Sequence, residues 1–288
     1  MRTRLIHVIY LLFCAIFALG YSVSAALVPT TDLHVSVLDI GQGDAIYIEA
    51  PNGRTMLVDA GPRGSLVAPL KAAQTISKKH IDVFVLTNPD ADHFAGILDL
   101  MKTYSMGTVV ESGTRSTSKS YQSFDRLVTE EKIPRLIARN GMEIVLDQKR
   151  DIKFSILFPD HNVSGWKHND ASIVGRLTYG TRSFMLTGDA TTFTESIVRV
   201  RNEQELLKSD VLKIGHHGSR TSTSEAFLDA VSPTYAIVSY SMGNTYGHPH
   251  SEVVDRIRAR DIILLETAKE GTVTCTTDGE KLDCNREN

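Results

Sequence analysis

The chain has 288 residues, of which 42% are hydrophobic and 23% are charged, and its formal net charge at pH 7 is −3. These values are ordinary for a globular protein with a substantial core, and they exclude a disordered or fibrous chain. A negative net charge also argues against tight, non-specific binding to nucleic acid, although it is compatible with a local basic patch.

The first 25 residues differ in composition from everything that follows. Two arginines precede an apolar run from Leu5 to Leu19, and small residues follow at Val23-Ser24-Ala25. This order predicts a secretory signal peptide over residues 1–25 and one exported domain, periplasmic or extracellular, over residues 26–288. A retained membrane anchor is the alternative, because the apolar run is nearly long enough to span a bilayer. Cleavage would remove that span and both arginines, which takes the charge from −3 to about −5.

The apolar pattern predicts strands first, beginning with a meander, and then helices alternating with strands. The predicted strands are 33–40, 45–50, 55–59, 81–87, 109–111, 143–146, 153–158, 172–179, 183–187, 211–214, 235–239, 262–265 and 272–276. The predicted helices are 66–79, 121–130, 192–206, 224–230 and 251–260. No Gly/Ser-rich or Pro-rich linker divides the chain. We therefore expect one domain with two stacked sheets and helices outside them.

The three cysteines agree with export. Cys14 lies in the N-terminal segment, while Cys275 and Cys284 flank Thr276-Thr277-Asp278-Gly279, which is typical of a hairpin turn. Cysteines on the two arms of one hairpin face each other and can form a disulfide in an oxidising compartment. Two free thiols are the alternative.

The candidate chemistry begins where the strand Ile81 to Thr87 ends. The next residues, Asn88-Pro89-Asp90-Ala91-Asp92-His93, place two carboxylates and an imidazole at the carboxyl end of a buried strand, where α/β proteins bind ligands. Carboxylate oxygen and neutral imidazole nitrogen are the usual ligands of divalent cations. The alternative is a helix N-cap, in which Asp90 or Asp92 accepts hydrogen bonds from backbone amides.

Three further clusters favour the metal site. Asp189 follows the apolar stretch Phe184–Thr187, His216 and His217 follow Val211–Ile214, and a Gly/Pro loop adds His248 and His250. Four groups of metal-type residues, most of them directly after apolar runs, are hard to explain as unrelated caps and turns. The sequence therefore predicts a centre that binds a divalent cation.

The motifs taken together resemble the metallo-β-lactamase superfamily and, within it, the soluble hydrolase domain attached to the competence DNA-uptake channel ComEC. The motifs are Leu38 to Ala45 (LDIGQGDA), Leu57 to Gly61 (LVDAG), Asn88 to His93 (NPDADH), Leu186 to Asp189 (LTGD), Gly215 to Ser219 (GHHGS) and Gly247 to His250 (GHPH). The resemblance extends from about Leu33 to Gly279 and does not include the channel's transmembrane helices. It implies an α/β protein of four-layer αββα architecture, with two stacked mixed sheets flanked by helices, that acts as an exported metal-dependent hydrolase.

The resemblance also assigns the metal ligands. Asp92, His93 and His217 are expected to hold one ion, Asp189 to bridge, and Asp90 to help hold a second. Each of these residues supplies an oxygen or nitrogen donor of the kind that Zn²⁺ or Mn²⁺ accepts. We therefore expect one or two ions of zinc or manganese as the cofactor.

Three residues are expected to take part in the reaction: Asp90, His216 and His248. Asp90 or Asp189 would orient the attacking water, and His216 or His248 would act near the substrate as a hydrogen-bond donor or proton shuttle. Asp59 would orient the metal loop, Asn88 to His93, by contacting the ligands and not the ion.

One position departs from the family pattern. The family's metal loop begins with histidine, and Asn88 stands there in this chain. An amide oxygen is a neutral and weak ligand, so Asn88 is a weaker candidate ligand than a histidine at this position. One of the two ion sites is therefore expected to lack a strong ligand. The segment Trp166-Lys167-His168-Asn169-Asp170 falls where superfamily members often supply another ligand, and it offers a replacement.

The resemblance favours a phosphodiester substrate, either single-stranded DNA or a smaller phosphoryl ester, over a β-lactam. The alternative is an inactive pseudo-enzyme that binds metal, a ligand or a partner. Two loops have open interpretations: Trp166 either covers the site or closes the edge of the domain, and Thr114–Ser120 either contacts phosphate or is a plain surface loop. The sequence does not indicate an oligomer interface.

Overall fold

The computed structural model describes residues 31–286. The predicted signal peptide, residues 1–25, lies outside the described residues, as does Cys14. Within residues 31–286, no helix combines the length and the apolar composition needed to cross a bilayer.

The strands form two mixed sheets. They are β1 (Leu33–Val37), β2 (Ile46–Glu49), β3 (Thr55–Val58), β4 (His80–Leu86), β5 (Ser105–Glu111), β6 (Arg135–Ile137), β7 (Glu143–Asp147), β8 (Ile152–Phe158), β9 (Val174–Tyr179), β10 (Arg182–Leu186), β11 (Val211–Lys213), β12 (Tyr235–Val238), β13 (Ile263–Glu266), β14 (Val273–Thr277) and β15 (Leu282–Arg286). The first sheet has the order β15-β14-β1-β2-β3-β4-β5-β6, and the second has the order β13-β12-β11-β10-β9-β8-β7.

The helices are short and lie on the outer faces of the sheets. They are α1 (Val67–Ala73), α2 (Ala91–Phe94), α3 (Ile97–Leu100), α4 (Lys119–Glu130), α5 (Thr192–Arg201), α6 (Gln204–Leu207), α7 (Glu225–Val231), α8 (Ser251–Arg258) and α9 (Thr267–Glu270). Side chains from α1 to α4 pack on the first sheet, and side chains from α5 to α9 pack on the second.

Alternating side chains of each strand explain the layers. In β3, Met56 points into the apolar core between the sheets and Leu57 points into the cluster beneath α1 to α4. In β10, Phe184 points into the same central core and Met185 points toward α5 to α8. Because both faces of the central strands are covered, β3, β4 and β10 contain long apolar runs. The predicted four-layer αββα fold is confirmed.

The two sheets share one pattern of strand directions. In the first, β14, β1, β2 and β3 are antiparallel neighbours and β3 to β6 are parallel neighbours. In the second, β7 to β10 are antiparallel neighbours and β10 to β13 are parallel neighbours. The switch falls at β3 in one sheet and at β10 in the other. Each switch is followed by parallel strands, and ligands of α/β proteins bind beyond the carboxyl ends of such strands.

Two predicted helices are shorter in the structure. The helix predicted over 66–79 ends at Ala73, because the backbone N–H and hydroxyl of Thr75 donate to the Glu49 carboxylate and hold the chain outside the helix. The helix predicted over 192–206 is divided into α5 and α6 at Asn202, which is extended (φ −117, ψ 149) and donates its side-chain amide to Leu157 O. Strands β6 and β15 and the short helices α2, α3 and α9 were not predicted.

The C-terminal hairpin contains the predicted disulfide. Strands β14 and β15 pair antiparallel with Cys275 directly opposite Cys284, and the two sulfur atoms are bonded. The hairpin extends the first sheet because β14 also pairs with β1.

Candidate metal centre

The predicted ligands come together at the switch points of the two sheets. Asp59 follows β3 and His93 lies in α2, directly after β4, while Asp189 follows β10 and His217 follows β11. The donor atoms of Asp92, His93 and His217 lie within 4.8 Å of one another, as do those of Asp44, Asp189 and His217. The structure therefore places Asp92, His93, Asp189 and His217 in one cluster, as the sequence predicts.

Distances within the cluster are short. His93 Nε2 lies 3.1 Å from Asp189 Oδ2, while His217 Nε2 lies 3.5 Å from Asp92 Oδ2 and 3.6 Å from Asp189 Oδ1. Asp189 thus faces both imidazoles, which is the position expected of a bridging carboxylate.

The donor set fits a divalent cation. His93 Nε2, His217 Nε2 and Asp189 Oδ1 are buried and have no hydrogen-bond partner among the described residues. Leaving several buried polar atoms unpaired is costly, and native proteins do so where an ion or water completes the site. Two imidazole nitrogens with carboxylate oxygens form a common ligand set for zinc and for manganese.

Each candidate ligand imidazole is fixed by a contact at its Nδ1. The Nδ1 of His93 lies 2.8 Å from Asp59 Oδ2, and Asp59 in turn accepts hydrogen bonds from the backbone and hydroxyl of Thr87 at 2.8 and 2.7 Å. The Nδ1 of His217 lies 3.1 Å from the carbonyl oxygen of Ser239. With Nδ1–H donating to these oxygens, both rings leave Nε2 free for a metal. The predicted orienting role of Asp59 agrees with these contacts.

Two buried residues beneath the site were not assigned from the sequence. Asp44 Oδ1 lies 3.4 Å from His217 Nδ1, and Lys213 Nζ donates to the Asp44 carboxylate and to Ile214 O. The one available signal for Lys213 was a single charged residue inside the apolar strand Val211–Ile214. Asp44 belongs to the Gln42-Gly43-Asp44 turn of the LDIGQGDA motif, and its carboxylate was not among the predicted site residues.

That turn approaches the metal loop closely enough to require glycine. Gly43 has φ +132, and a Cβ on it would lie 2.3 Å from the carbonyl oxygen of Asp92. The next residue, Asp44, donates its backbone N–H to the same Asp92 oxygen at 3.2 Å. Any side chain at position 43 would therefore displace either the turn or the metal loop.

Asn88 and Asp90 have different surroundings. The buried Asn88 accepts a hydrogen bond from the Asp90 N–H at 3.0 Å and donates to Ser172 Oγ at 3.3 Å, so its amide shapes the loop. Asp90 is 41% exposed, and its Oδ1 lies 2.7 Å from His168 Nδ1. His168 of the Trp166–Asp170 segment thus lies beside Asp90. Ligation by Asn88, Asp90 or His168 stays a prediction.

The predicted reaction residues line a cavity of about 300 Å³ that opens over the cluster. Asp90, His216 and His248 contribute to its wall together with Gln42 and Tyr246. His216 Nε2 lies 3.8 Å from Asp189 Oδ2, and its Nδ1 lies 3.1 Å from Thr221 Oγ1. The His248 ring is 5.6 Å from the His216 ring, and the Tyr246 ring stacks on it. Tyr246 was not predicted as a residue of this wall.

The electrostatics of the cluster favour replacement of protons by a cation. Burial lowers the pKa of His217, but the Asp189 and Asp44 carboxylates outweigh burial and raise it to about 10. The pKa of His93 is also raised, because the charges of Asp189 and Asp59 outweigh its burial. Burial raises the pKa of Asp189, but His93 and His217 together lower it well below its usual value. Without a cation, both imidazoles hold protons that a metal would displace.

The pKa of His248 is shifted in the opposite direction, below the ordinary histidine value. Burial, the main cause, and the neighbouring imidazoles of His216 and His217 lower its pKa to about 4. His248 is therefore neutral at pH 7 and offers one donor and one acceptor. Its Nδ1 is buried and has no hydrogen-bond partner among the described residues.

The arginine of the Thr114–Ser120 loop forms ion pairs with neighbouring carboxylates. Arg115 lies 3.0 Å from Asp125 and 3.9 Å from Glu111. These ion pairs favour the interpretation of a surface loop over that of a phosphate contact.

Comparison with known proteins gives three kinds of match. Residues 38–241 match the metallo-beta-lactamase superfamily. ComE operon protein 3 of Bacillus subtilis is 31% identical over 266 residues, covering 83% of this chain and 32% of that protein. Competence protein ComA of Neisseria gonorrhoeae is 31% identical over 250 residues, covering 85% and 32%. The chain thus spans about a third of the length of these curated relatives.

Among solved structures, Zn²⁺-bound PqqB from Methylobacterium extorquens matches with a TM-score of 0.52 at 13% identity. The match covers 81% of this chain and 97% of that one. At this identity the likeness concerns the fold.

Proposed function

The chain belongs to the metallo-β-lactamase superfamily, and we propose that it is a metal-dependent phosphodiesterase that acts outside the cytoplasm on single-stranded DNA or a smaller phosphoryl ester. The resemblance to competence proteins that the motifs predict is confirmed by the matches to ComE operon protein 3 and ComA. The observation that carries the proposal is the group of buried atoms His93 Nε2, His217 Nε2 and Asp189 Oδ1, which form no hydrogen bond among the described residues and lie beside an open cavity.

The cofactor is one or two ions of zinc or manganese. Asp92, His93 and His217 would hold one ion, Asp189 would bridge, and Asp90, with His168 or Asn88, would help to hold a second. When bound, such an ion lowers the pKa of water to about 7 and polarises the oxygen of the ester under attack.

The chain's own residues would position the substrate and move protons. Thr221 and Asn169 hold the two nitrogens of His216 at 3.1 and 3.2 Å and fix its ring in the cavity wall, where it can contact a phosphoryl or leaving oxygen. The neutral imidazole of His248 offers a second hydrogen bond on the same side. The exposed carboxylate of Asp90, fixed by His168, is placed to orient the attacking water.

The proposed location rests on two features. Residues 1–25 have the composition of a signal peptide. The Cys275–Cys284 disulfide is of the kind that persists in oxidising compartments such as the periplasm.

The test combines metal analysis with a phosphodiester assay. Protein purified without chelator is analysed by elemental mass spectrometry and then assayed with bis(p-nitrophenyl) phosphate. The Asp189→Ala variant should lose bound metal and turnover together, because Asp189 faces both ligand imidazoles. The matched control Asp229→Ala changes an aspartate that pairs with Arg260 on the outer helices, and it should keep both.

Metal-free wild-type protein that stays inactive after zinc or manganese is added would overturn the proposal. That outcome would favour a pseudo-enzyme that binds a ligand or partner. The observation behind this second candidate is Asn88, which stands where the family has histidine and whose amide is bonded within the loop.

A further inference from the structure

The cavity over the metal cluster continues into a larger cleft. This second cavity has a volume of about 640 Å³ and shares Asp90, Asn169 and His216 with the first. Its far wall is formed by Trp166 and Lys167. Its volume lies within the range of about 300–1,000 Å³ typical of small-molecule sites, so it can hold a group attached to a phosphoryl ester bound at the cluster.

Trp166 is held as a fixed aromatic wall. It is half-buried, and its ring packs against those of His161, Phe193 and Phe158 at centroid distances of 4.9, 5.6 and 6.2 Å. The loop is anchored at its base by the Ala171 N–H, which donates to Lys167 O at 3.0 Å. The ring is therefore positioned before any ligand arrives, which reduces the entropy lost on binding.

The rest of the cleft is polar, and its lining carries the ammonium of Lys167 together with the carboxylates of Asp90 and Asp170. Lys167 is exposed beside the tryptophan, and the amide of Asn169 lies between the tryptophan and the metal cluster. Asn169 Nδ2 lies 3.2 Å from His216 Nε2. An aromatic ring with an adjacent cation is the combination that proteins use for single-stranded nucleic acids, because the ring stacks on a base and the cation faces the phosphate backbone.

We propose that Trp166 and Lys167 form a nucleoside subsite, in which Trp166 stacks on the base next to the scissile phosphodiester of a short single-stranded substrate. The proposal rests on the proposed function and specifies its substrate. A short strand is consistent with the formal charge of −3, since the subsite needs one local cation and no extended basic surface.

The chain has a single tryptophan, so intrinsic fluorescence reports directly on this subsite. Protein as purified is titrated with a phosphorothioate oligothymidylate, which resists hydrolysis, and with an abasic phosphorothioate strand of equal length and charge. Stacking on Trp166 should quench fluorescence with the thymidine strand and leave it nearly unchanged with the abasic strand.

Variants separate the base contact from the phosphate contact. By fluorescence anisotropy with dye-labelled strands, Trp166→Ala should weaken binding of oligothymidylate about tenfold and leave the abasic strand unaffected. Trp166→Phe should retain most of the affinity, because a smaller ring still stacks. Lys167→Gln should weaken both strands and reduce the salt dependence of binding. Unchanged abasic binding by Trp166→Ala also shows that this variant is folded.

Equal quenching by the two strands, or wild-type affinity of Trp166→Ala for oligothymidylate, would overturn the nucleoside subsite. Hydrolysis of bis(p-nitrophenyl) phosphate without any binding of oligothymidylate would also overturn it, while the phosphodiesterase proposal would stand. Base-dependent quenching in a protein that hydrolyses no phosphodiester would support the subsite and reject the activity.

Discussion

Lys213 Nζ lies 2.7 Å from Asp44 Oδ1 and 2.9 Å from Asp44 Oδ2, and the two side chains are only 1% and 2% exposed. The pair joins the two sheets, because Asp44 precedes β2 in the first and Lys213 ends β11 in the second. Asp44 is also 3.4 Å from the imidazole of His217. Burial raises the pKa of Asp44, but the charges of Lys213 and His217 outweigh burial and lower it to about 2.

Removal of one partner of this pair is expected to destabilise the protein. Lys213→Met leaves the Asp44 carboxylate buried without its main counter-charge and should lower the free energy of unfolding by about 3–5 kcal/mol. Chemical denaturation of the metal-free protein measures the loss. The double variant Asp44→Asn with Lys213→Met removes both charges and should recover a large part of it. A single variant as stable as wild type would show that the pair makes no net contribution.

The raised pKa of His217 makes the metal-free protein sensitive to alkaline pH. The folded pKa of about 10 exceeds the ordinary value of 6.5, so the folded state holds this proton more tightly than the unfolded state. The resulting stabilisation is complete below about pH 6.5 and is lost as pH rises to about 10. Metal affinity should rise over the same window, because binding displaces the proton.

Thermal unfolding in the presence of chelator, measured from about pH 6 to about pH 10, tests this dependence. The range spans the ordinary histidine pKa of 6.5 and the folded pKa of His217, about 10. His217→Gln should make the profile less steep and leave the part that comes from the raised pKa of His93, whereas His34→Gln, on β1 outside the cluster, should leave it as in wild type. A flat wild-type profile would contradict the assignment of the proton to His217.

Two neighbouring glycines provide a matched test of the close approach between the turn and the metal loop. Gly41 and Gly43 both have positive φ, +76 and +132, but a Cβ on Gly41 would meet nothing within 4 Å while one on Gly43 would meet Asp92 O at 2.3 Å. Gly41→Ala should cost only backbone strain of about 1–2 kcal/mol. Gly43→Ala should cost more and should weaken metal binding as well, as measured by unfolding and metal titration. Equal effects of the two substitutions would show that the clash with Asp92 is relieved without consequence.

The disulfide is expected to stabilise the hairpin through its short closed loop. For a separation of nine residues, loss of the cross-link should lower the free energy of unfolding by about 2–3 kcal/mol. Wild-type protein treated with reductant and the double variant Cys275→Ala with Cys284→Ala should unfold at similar denaturant concentrations. A much less stable double variant would indicate that lost packing of the buried Cys275 dominates.

The sequence predicted the strand ends that carry the site, because a polar cluster directly after an apolar run is a local pattern. Asp92, His93, Asp189 and His217 were found in this way. The Asp44–Lys213 pair could not be predicted in this way. The two residues are 169 positions apart in the sequence and meet only because the two sheets pack together. A lone lysine in an apolar strand shows that a buried partner is needed but does not identify that partner.

Some predicted element boundaries were wrong for the same physical reason: they depend on contacts between residues that are far apart in the sequence. The helix after Leu66 ends early because Thr75 bonds to Glu49 on a distant strand, and no local signal at residues 74–79 reveals that contact. Strand β6 (Arg135–Ile137) is a short, largely exposed edge of the first sheet, so it has no apolar periodicity to detect.

The shared strand pattern of the two sheets has a consequence for how the ligand set is assembled. Asp92 and His93 follow β4 of one sheet, and Asp189 and His217 follow β10 and β11 of the other. Each half of the molecule therefore supplies only part of the cluster, since Asp92 and His93 meet His217 and Asp189 only where the two halves pack together. A bound cation would cross-link the two halves, and its binding free energy would add to the stability of their packing against each other.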